Sequence, residues 1–387
     1  MKKIVFLLNF TPPPRMIKRI RVAKEIFETF VIFWDKGGDD KFDYHESGVT
    51  NHRILIPANR NNPVKRILPT LNVQRKAMTL LKNIRPDIIH VQSYDMLETA
   101  YRYRKTVDKN CKLIYEVPDI HSYLTEDTHP FPVNLISRRF KRREKMMGSM
   151  VDLLILTSMQ FWPHFENWFP KEKMLFLPNI PDLSHFSDYE NLRLSKTAPF
   201  TVGYIGGLRY LEELKLLVAA MEGENMRLLM AGFEDGHYFK DLAEEKDFID
   251  YYGKFFYDDS IASLYAKCDV IYSIYDASKK NVRIALPNKL YESVHCHLPI
   301  MVAKDTYLAE IVQDWGVGIA AKHNNGEEIK AALMKLYKDR SFYDFCVENA
   351  KKKAPELSSE KVASDYLTRS EERRVGKECR SRWSPYH

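Results

Sequence analysis

The stretch with the clearest capacity for chemistry is NVRIALPNKLYESVHCHLPIMVAKDTYLAE, residues 281–310. Its pattern predicts a helix over 288–297 and a buried strand over 298–303. At the carboxyl edge of an open α/β sheet, the N–H groups and dipole of such a helix favour an anion such as phosphate. Lys289 is a candidate phosphate partner, and Glu292 could accept hydrogen bonds from sugar or ribose hydroxyls. The alternative is a surface helix with ordinary charges.

A second candidate is a strand that runs into a glycine pair, TVGYIGG, over residues 201–207. Glycine lets a backbone approach a diphosphate closely and adopts positive φ without strain. Gly206 and Gly207 are therefore candidate phosphate-binding residues, although any tight turn from a strand to a helix can use glycine. Similar junctions follow at Gly232 and Gly253.

The segment PNKLYESVHCHLPIMVA, residues 287–303, resembles the donor-binding segment of GT-B glycosyltransferases of the retaining family 4, or group 1, type. In that family the helix carries a glutamate over the nucleotide ribose, and a small-residue turn leads into a P-V-V-A strand. The glycine junctions match the same family. The resemblance covers roughly residues 1–370 and is strongest over 175–320.

The resemblance implies a donor site in the second half of the chain. An arginine and a lysine usually hold the donor diphosphate there, and since the usual arginine position holds Gly207, Arg209 and Lys215 are the candidates. An aromatic after Gly253 would stack on the nucleotide base, unless it is simply buried. The donor-binding residues implied are Gly206, Gly207, Arg209, Lys215, Gly253, Phe255, Pro287, Asn288, Lys289, Leu290 and Glu292.

Two positions depart from the family pattern. The first glutamate of the E-x₇-E motif is replaced by Ile284, and a backbone contact from residues 285–288 is the expected substitute. The histidine that often reaches the donor sugar is replaced by Pro118. Its neighbours Asp119 and His121 are then the predicted catalytic residues, with a solvated loop as the alternative.

Three residues in the first half are predicted to lie on the acceptor side. Arg15 follows the first strand, where the family commonly has an arginine, and could bind an acceptor phosphate. His90 and Asp95 surround the carboxyl end of the strand PDIIHVQ. Capping of the next helix by Ser93 or Asp95 is the plainer explanation for this pair.

The densest basic run, SRRFKRREK, occupies residues 137–145 on a predicted helix with apolar neighbours. A basic amphipathic helix can lie on an anionic membrane surface, which would suit a lipid-linked acceptor. The alternative is a solvated helix face. Nucleic acid is not an expected partner, because no nucleic-acid-binding module surrounds the run.

Composition bounds the class of protein. The 387 residues are 45% hydrophobic without an apolar run long enough to span a membrane, which is typical of a globular protein of two domains. The five cysteines show no metal-ligand spacing, and reduced thiols in a cytoplasmic protein are the simplest account. The opening MKKIVFLLNFTPPP predicts a buried strand rather than a signal peptide. The net charge of +7 comes mainly from the first half of the chain.

Strands and helices alternate along the chain, which predicts parallel, doubly wound sheets. The fold predicted is α/β, GT-B, with two Rossmann-like domains facing a cleft. The expected divisions are an acceptor-side domain over 1–183, a polar linker over 184–199, a nucleotide-sugar-binding domain over 200–354, a helix crossing back over 355–370, and a tail over 371–387 that resembles vector-derived sequence.

The function predicted is transfer of a sugar, with retention, from a nucleotide-diphosphate sugar to an acceptor hydroxyl, in the synthesis of cell-surface polysaccharide or glycolipid. No metal and no cofactor is expected, because helix dipoles and basic side chains would neutralise the leaving diphosphate. Asp39 and Asp40 are read as surface residues. The alternatives are a nucleotide-sugar epimerase of the same fold and a non-catalytic partner subunit. The expected location is the cytoplasm, with peripheral attachment to the inner face of the cell membrane.

Overall fold

The chain divides into two compact units in a computed structural model. The structure describes residues 1–37, 44–58, 65–120, 133–196 and 199–357, together with Ser364, Tyr366 and Thr368. Unit 1 comprises Met1–Pro178 with the segment that begins at Glu360, and unit 2 comprises Asn179–Ser359.

Unit 1 is built around a seven-stranded parallel sheet of order β3-β2-β1-β4-β5-β6-β7. Its strands are β1 (Lys3–Leu8), β2 (Glu28–Asp35), β3 (Val49–Leu55), β4 (Ile88–Gln92), β5 (Lys112–Val117), β6 (Leu153–Leu156) and β7 (Met174–Phe176). Its helices are α1 (Pro14–Lys24), α2 (Ile67–Ile84), α3 (Tyr94–Thr106), α4 (Val133–Gly148) and α5 (Trp162–Phe165), with 3-10 turns at Met159–Phe161 and Lys171–Lys173.

Successive side chains of a strand point to opposite faces of the sheet, so residue spacing decides which side chains share a face. Ile88 and His90 of β4 lie on the face that carries α1, next to Phe6 and Ile114 of the neighbouring strands. The core of this face also includes Tyr366 from the C-terminal segment, which is fully buried. The sequence therefore returns to unit 1 after the whole of unit 2.

Unit 2 repeats the arrangement with a six-stranded parallel sheet of order β10-β9-β8-β11-β12-β13. Its strands are β8 (Thr201–Ile205), β9 (Arg227–Ala231), β10 (Ile249–Gly253), β11 (Val270–Ser273), β12 (Ile300–Ala303) and β13 (Gly318–Ala321). Its helices are α6 (Tyr189–Leu194), α7 (Leu211–Met221), α8 (Tyr238–Glu245), α9 (Tyr257–Ala266), α10 (Lys280–Ile284), α11 (Asn288–His295), α12 (Tyr307–Trp315), α13 (Gly326–Lys338) and α14 (Arg340–Lys353), with 3-10 turns at Leu183–Phe186 and Ala354–Glu356.

Two parallel α/β sheets confirm the predicted fold class, but the segment expected to be a polar linker, 184–199, differs from that expectation. It contains α6 and a 3-10 turn, and it is anchored on unit 2. Tyr189 is buried and its hydroxyl donates to the Cys296 carbonyl at 2.7 Å, while Arg193 pairs with Asp269 at 2.7 Å. A few anchoring side chains in a polar stretch are enough to fold it.

Candidate functional site

The carboxyl edge of the second sheet brings together the glycine pair and the helix singled out in the sequence. The chain continues from β8 to β9 on one side and from β11 to β12 on the other, so the switch point of the sheet lies between β8 and β11. Open α/β sheets bind ligands at such switch points. Gly206 follows β8 with φ +133°. A Cβ placed on Gly206 would lie 3.3 Å from Lys289 Nζ, so the glycine leaves room for this ammonium group.

Lys289 is the most unusual charge in this region. The residue is only 7% exposed, and its Nζ lies 4.2 Å from the ring centroid of Tyr204 and 5.0 Å from that of Tyr275. Nζ also donates to the Tyr275 hydroxyl at 2.6 Å. Within the described part of the chain no carboxylate forms an ion pair with it. A buried ammonium whose contacts are aromatic keeps its positive charge available to an anionic ligand.

The first turn of α11 adds backbone donors at the same place. Pro287 precedes it in an extended conformation and offers no side-chain cap, so the first N–H groups, those of Asn288 and Lys289, stay at the open end of the helix. The Asn288 side chain accepts a hydrogen bond from Asn179. Leu290 is fully buried, so its side chain supports the helix from the core side rather than facing a ligand.

Glu292 lies one turn further on and is already engaged. It is 3% exposed, and its two oxygens accept hydrogen bonds at 2.6 Å from the hydroxyls of Tyr257 and Tyr265. Burial first, and then the neighbouring Glu292 carboxylate, raise the pKa of both phenols. A carboxylate has about four acceptor positions, and the two phenols take two of them at Glu292.

The other predicted donor residues fall into two groups. Arg209 is exposed beside Gly207, where its Nε lies 3.2 Å from a Cβ placed on that glycine. Gly253 ends β10 with φ +75°, and Phe255 follows it partly buried. Lys215, by contrast, is bound on the surface of α7, where Nζ pairs with Glu212 at 2.9 Å and lies over the Tyr238 ring. The structure therefore brings Arg209 to the glycine turn and engages Lys215 elsewhere.

In unit 1, two of the predicted acceptor residues belong to a buried charged cluster centred on Glu116. Arg15 Nε lies 3.0 Å from Glu116 Oε1, while Arg19 Nε and His90 Nε2 lie 3.6 and 3.1 Å from Oε2. The Tyr366 hydroxyl is 2.9 Å from His90 Nδ1. Burial lowers the pKa of His90, which favours the neutral ring. Burial alone would raise the pKa of Glu116, but Arg19, His90 and Arg15 bring it down to about 2.

The remaining first-half predictions are placed separately. Asp95 lies in the first turn of α3, 3.9 Å from Arg66. Asp119 is exposed, and its charge acts on Arg15. His121, Asp39 and Asp40 lie outside the described residues.

Comparison with known families decides the class of the second unit. Residues 189–353 match the model of the family "Glycosyl transferases group 1". Unit 2 is a glycosyl transferases group 1 domain. The predicted resemblance to group 1 glycosyltransferases and the predicted glycosyltransferase activity are thereby confirmed. No sequence among the curated proteins is significantly similar to the chain.

Solved structures share the fold of the whole chain at low sequence identity. A sucrose-phosphate synthase from Thermosynechococcus elongatus is 14% identical with a TM-score of 0.75, over 97% of this chain and 100% of that one. Anabaena Alr3699/HepE in complex with UDP-glucose is 17% identical with a TM-score of 0.69, over 96% and 99%. A putative UDP-N-acetylglucosamine 2-epimerase from Listeria monocytogenes is 13% identical with a TM-score of 0.63, over 97% and 98%.

The described residues of the group 1 domain include one group of side chains of the kind that binds metals. Ligand atoms of Glu213, Asp276 and His323 lie within 4.8 Å of one another. Asp276 already accepts hydrogen bonds from Ser278 and pairs with Lys279 at 3.3 Å, and His323 Nδ1 lies 3.2 Å from Glu213. These contacts account for the group, and we assign no metal to it.

Several residues of the group 1 domain that shape the donor site were missed from the sequence. Tyr257 and Tyr265 lie two turns apart on α9, so a helical projection would have shown them on one side of the helix. Tyr204 lies near the end of β8 and Tyr275 lies just beyond the end of β11, and both look like core residues in the sequence. No local pattern reveals that they meet.

Proposed function

We propose that this glycosyltransferase transfers a sugar from a nucleotide-diphosphate donor to an acceptor hydroxyl with retention of the anomeric configuration. The observation that carries the donor class is the buried Lys289 ammonium beside Gly206 and the first turn of α11. A diphosphate supplies the anion that this cation lacks, and the helix N-terminus adds N–H donors. Because HepE was solved with UDP-glucose, UDP-glucose is the first donor to test.

Departure of the diphosphate is proposed to need no metal ion. Lys289 and the α11 N-terminus neutralise charge on the leaving group, and Arg209 stands at the glycine turn where it can reach a second phosphate. The sugar-binding role of the missing motif glutamate falls to the backbone of 285–288, because Ile284 has no polar side chain. The predicted roles of Asp119 and His121 near the sugar stay proposals.

Activity is best measured with UDP-glucose and a panel of sugar acceptors, with and without EDTA. We expect UDP release in both conditions, and proton NMR of the first product should show the donor's anomeric configuration. Loss of turnover in EDTA would contradict the metal-independent step, and an inverted product would contradict retention. Release of UDP with an epimerised free sugar would instead support the epimerase alternative, which the Listeria structure favours on fold alone. UDP binding without turnover on any donor would support the partner-subunit alternative.

The acceptor is proposed to be presented at an anionic membrane. The helix α4 exposes Leu135 and Ile136 among the cations Arg138, Arg139 and Arg142. The start of α2 exposes three more apolar side chains, the largest exposure being 72% at Leu68. We call these five the helix-end patch: Ile67, Leu68, Leu71, Leu135 and Ile136. Among the described residues, no helix is long and apolar enough to cross a membrane.

Contacts around α3 connect the two halves of the helix-end patch. Arg66, just before α2, lies 3.9 Å from Asp95 at the start of α3. The neighbouring Tyr94 packs edge-on against Phe140 of α4, with ring centroids 5.0 Å apart. The start of α2 and the middle of α4 therefore both lie beside the start of α3, and α2 and α4 each expose apolar side chains near basic residues.

Vesicle binding tests this surface. A Leu68→Glu, Ile136→Glu double variant should bind vesicles containing anionic lipid at least about tenfold more weakly, because two buried apolar contacts are replaced by like-charged repulsion. Co-sedimentation at low and high salt measures the effect, and wild-type binding should fall as salt rises. The matched control is Phe345→Glu, which changes an exposed apolar residue on α14 of unit 2. Equal binding by wild type and the double variant would refute membrane docking by this patch.

A further inference from the structure

The first sheet has its own switch point, between β1 and β4. The chain leaves β1 toward β2 on one side and leaves β4 toward β5 on the other, and in open α/β sheets the carboxyl ends of two such strands border the ligand-binding crevice. Asn9 directly follows β1, Gln92 ends β4, and Ser93 follows it. Three polar residues therefore surround the place where an α/β unit commonly binds a ligand.

Four polar side-chain atoms at this place are buried without a hydrogen-bond partner among the described residues. They are Gln92 Nε2 and Oε1, Asn9 Oδ1 and Ser93 Oγ. Gln92 is fully buried, and because β4 alternates, its side chain lies on the face of Ile88 and His90, beside Glu116 on β5. Ser93 has φ +77°, a conformation that non-glycine residues rarely adopt. Buried polar groups are normally hydrogen-bonded, so an amide that is unpaired within the described residues has donors and an acceptor available to a ligand.

The charges nearby indicate what kind of ligand this is. Arg15 and Arg19 are both directed at Glu116, and Asp119 acts on Arg15 as well. Two cations thus face two carboxylates, and little positive charge remains for a phosphate. A glutamine amide offers both donor and acceptor, which matches adjacent sugar hydroxyls. The predicted role of Arg15 as a phosphate ligand is therefore better explained as support for Glu116.

We propose that Gln92, with Asn9 and Ser93, forms a subsite that binds uncharged sugar hydroxyls of the acceptor. This inference rests on the proposed function, since it names the acceptor chemistry of the same reaction. Gln92 is the specificity-determining residue, and the Glu116 cluster behind it holds the end of the sheet in place.

The test uses Gln92→Leu, which keeps the size of the side chain and removes both unpaired amide groups. We expect a higher melting temperature, because unpaired polar groups are lost from a buried site. Ligand-observed NMR with methyl glycosides of glucose, galactose and N-acetylglucosamine should show binding to wild type. That binding should be at least about tenfold weaker in the variant, because hydrogen bonds to the amide are lost. Glucose 6-phosphate should bind no more tightly than the neutral methyl glucoside.

The matched control is Gln74→Leu on α2, where the amide nitrogen donates to the Asp95 carbonyl at 2.9 Å. There the same substitution removes a formed hydrogen bond and should lower the melting temperature. A lower melting temperature for Gln92→Leu with unchanged glycoside binding would show a structural glutamine and overturn the subsite. Tighter, Arg15-dependent binding of glucose 6-phosphate, or no glycoside binding by a chain that binds UDP-glucose, would overturn it too. Failure of wild type to bind UDP-glucose would instead count against the proposed function.

Discussion

Replacing Lys289 with methionine should weaken UDP binding by about 100-fold, which corresponds to about 3 kcal/mol. Among the described residues, the ammonium group contacts the rings of Tyr204 and Tyr275 and lies beside Gly206, so a bound diphosphate would be its anionic partner. Methionine has a similar shape and can remain packed on the Tyr204 ring. Isothermal titration with UDP measures the loss.

The melting temperature of the Lys289→Met variant separates binding from folding. Removing a buried, unpaired charge is neutral or stabilising for the free protein, so the variant should melt at or above the wild-type temperature. The matched control is Lys215→Met, which removes an exposed lysine already paired with Glu212 on the same domain. Its UDP affinity should stay within about twofold of wild type. Equal losses in the two variants would contradict the donor site described here.

Replacing Glu116 with alanine should destabilise unit 1 by about 3–5 kcal/mol. The substitution leaves Arg15 and Arg19 buried without the carboxylate that they face, and it removes a partner of His90. Urea denaturation followed by tryptophan fluorescence measures the change. UDP binding by unit 2 provides an internal control, since the donor site uses none of these residues.

The matched control for Glu116 is Glu98→Ala, because Glu98 also pairs with two arginines, Arg102 and Arg143. Those arginines are 55% and 39% exposed, so water can solvate them when the carboxylate is lost. We expect a cost of about 1 kcal/mol or less. A similar loss of unfolding free energy in both variants would contradict the view that burial makes the Glu116 ion pairs costly to break.

Acid should reveal the same cluster in the wild-type chain. The folded state lowers the pKa of Glu116 from 4.5 to about 2, so its stabilising contribution is complete above 4.5 and is lost as the pH falls toward 2. Burial lowers the pKa of His90 below 6.5, so its contribution is complete above 6.5 and declines below that value. Stability measured by urea should therefore decrease from pH 6.5 downward. The decrease below pH 4.5 should be smaller in the Glu116→Ala variant, where other paired carboxylates such as Glu98 still titrate.

The sequence predicted the two parallel α/β sheets because strand and helix periods alternate clearly along the chain. It failed at 184–199, where Tyr189 and Arg193 anchor a polar segment through partners about 70 to 110 residues away. The Glu116 cluster was missed for the same reason. Its residues on α1, β4 and β5 are far apart in sequence and meet only when the helix packs on the folded sheet. The alternation of His90 and Gln92 in an apolar strand was a local signal that both side chains share one face.

The donor site could be predicted in composition but not in detail. Resemblance brought Gly206, Lys289 and Glu292 together, although Gly206 and Glu292 lie in segments far apart in sequence. It could not show that the hydroxyls of Tyr257 and Tyr265 donate hydrogen bonds to Glu292, because these contacts depend on how α9 packs against α11. It also included Lys215, whose proximity to Glu212 on the same helix already offered a simpler partner.

The burial of Tyr366 in the core of unit 1 has a consequence for biosynthesis. The ribosome makes residues 1–178 first, but the side chain that contacts His90 and covers Arg19 emerges only after all of unit 2 has been made. Domains generally fold as units during synthesis, so unit 2 can complete its fold while unit 1 still waits for its last core residue. During that interval the nascent chain exposes an incomplete apolar surface that is a natural target for chaperones.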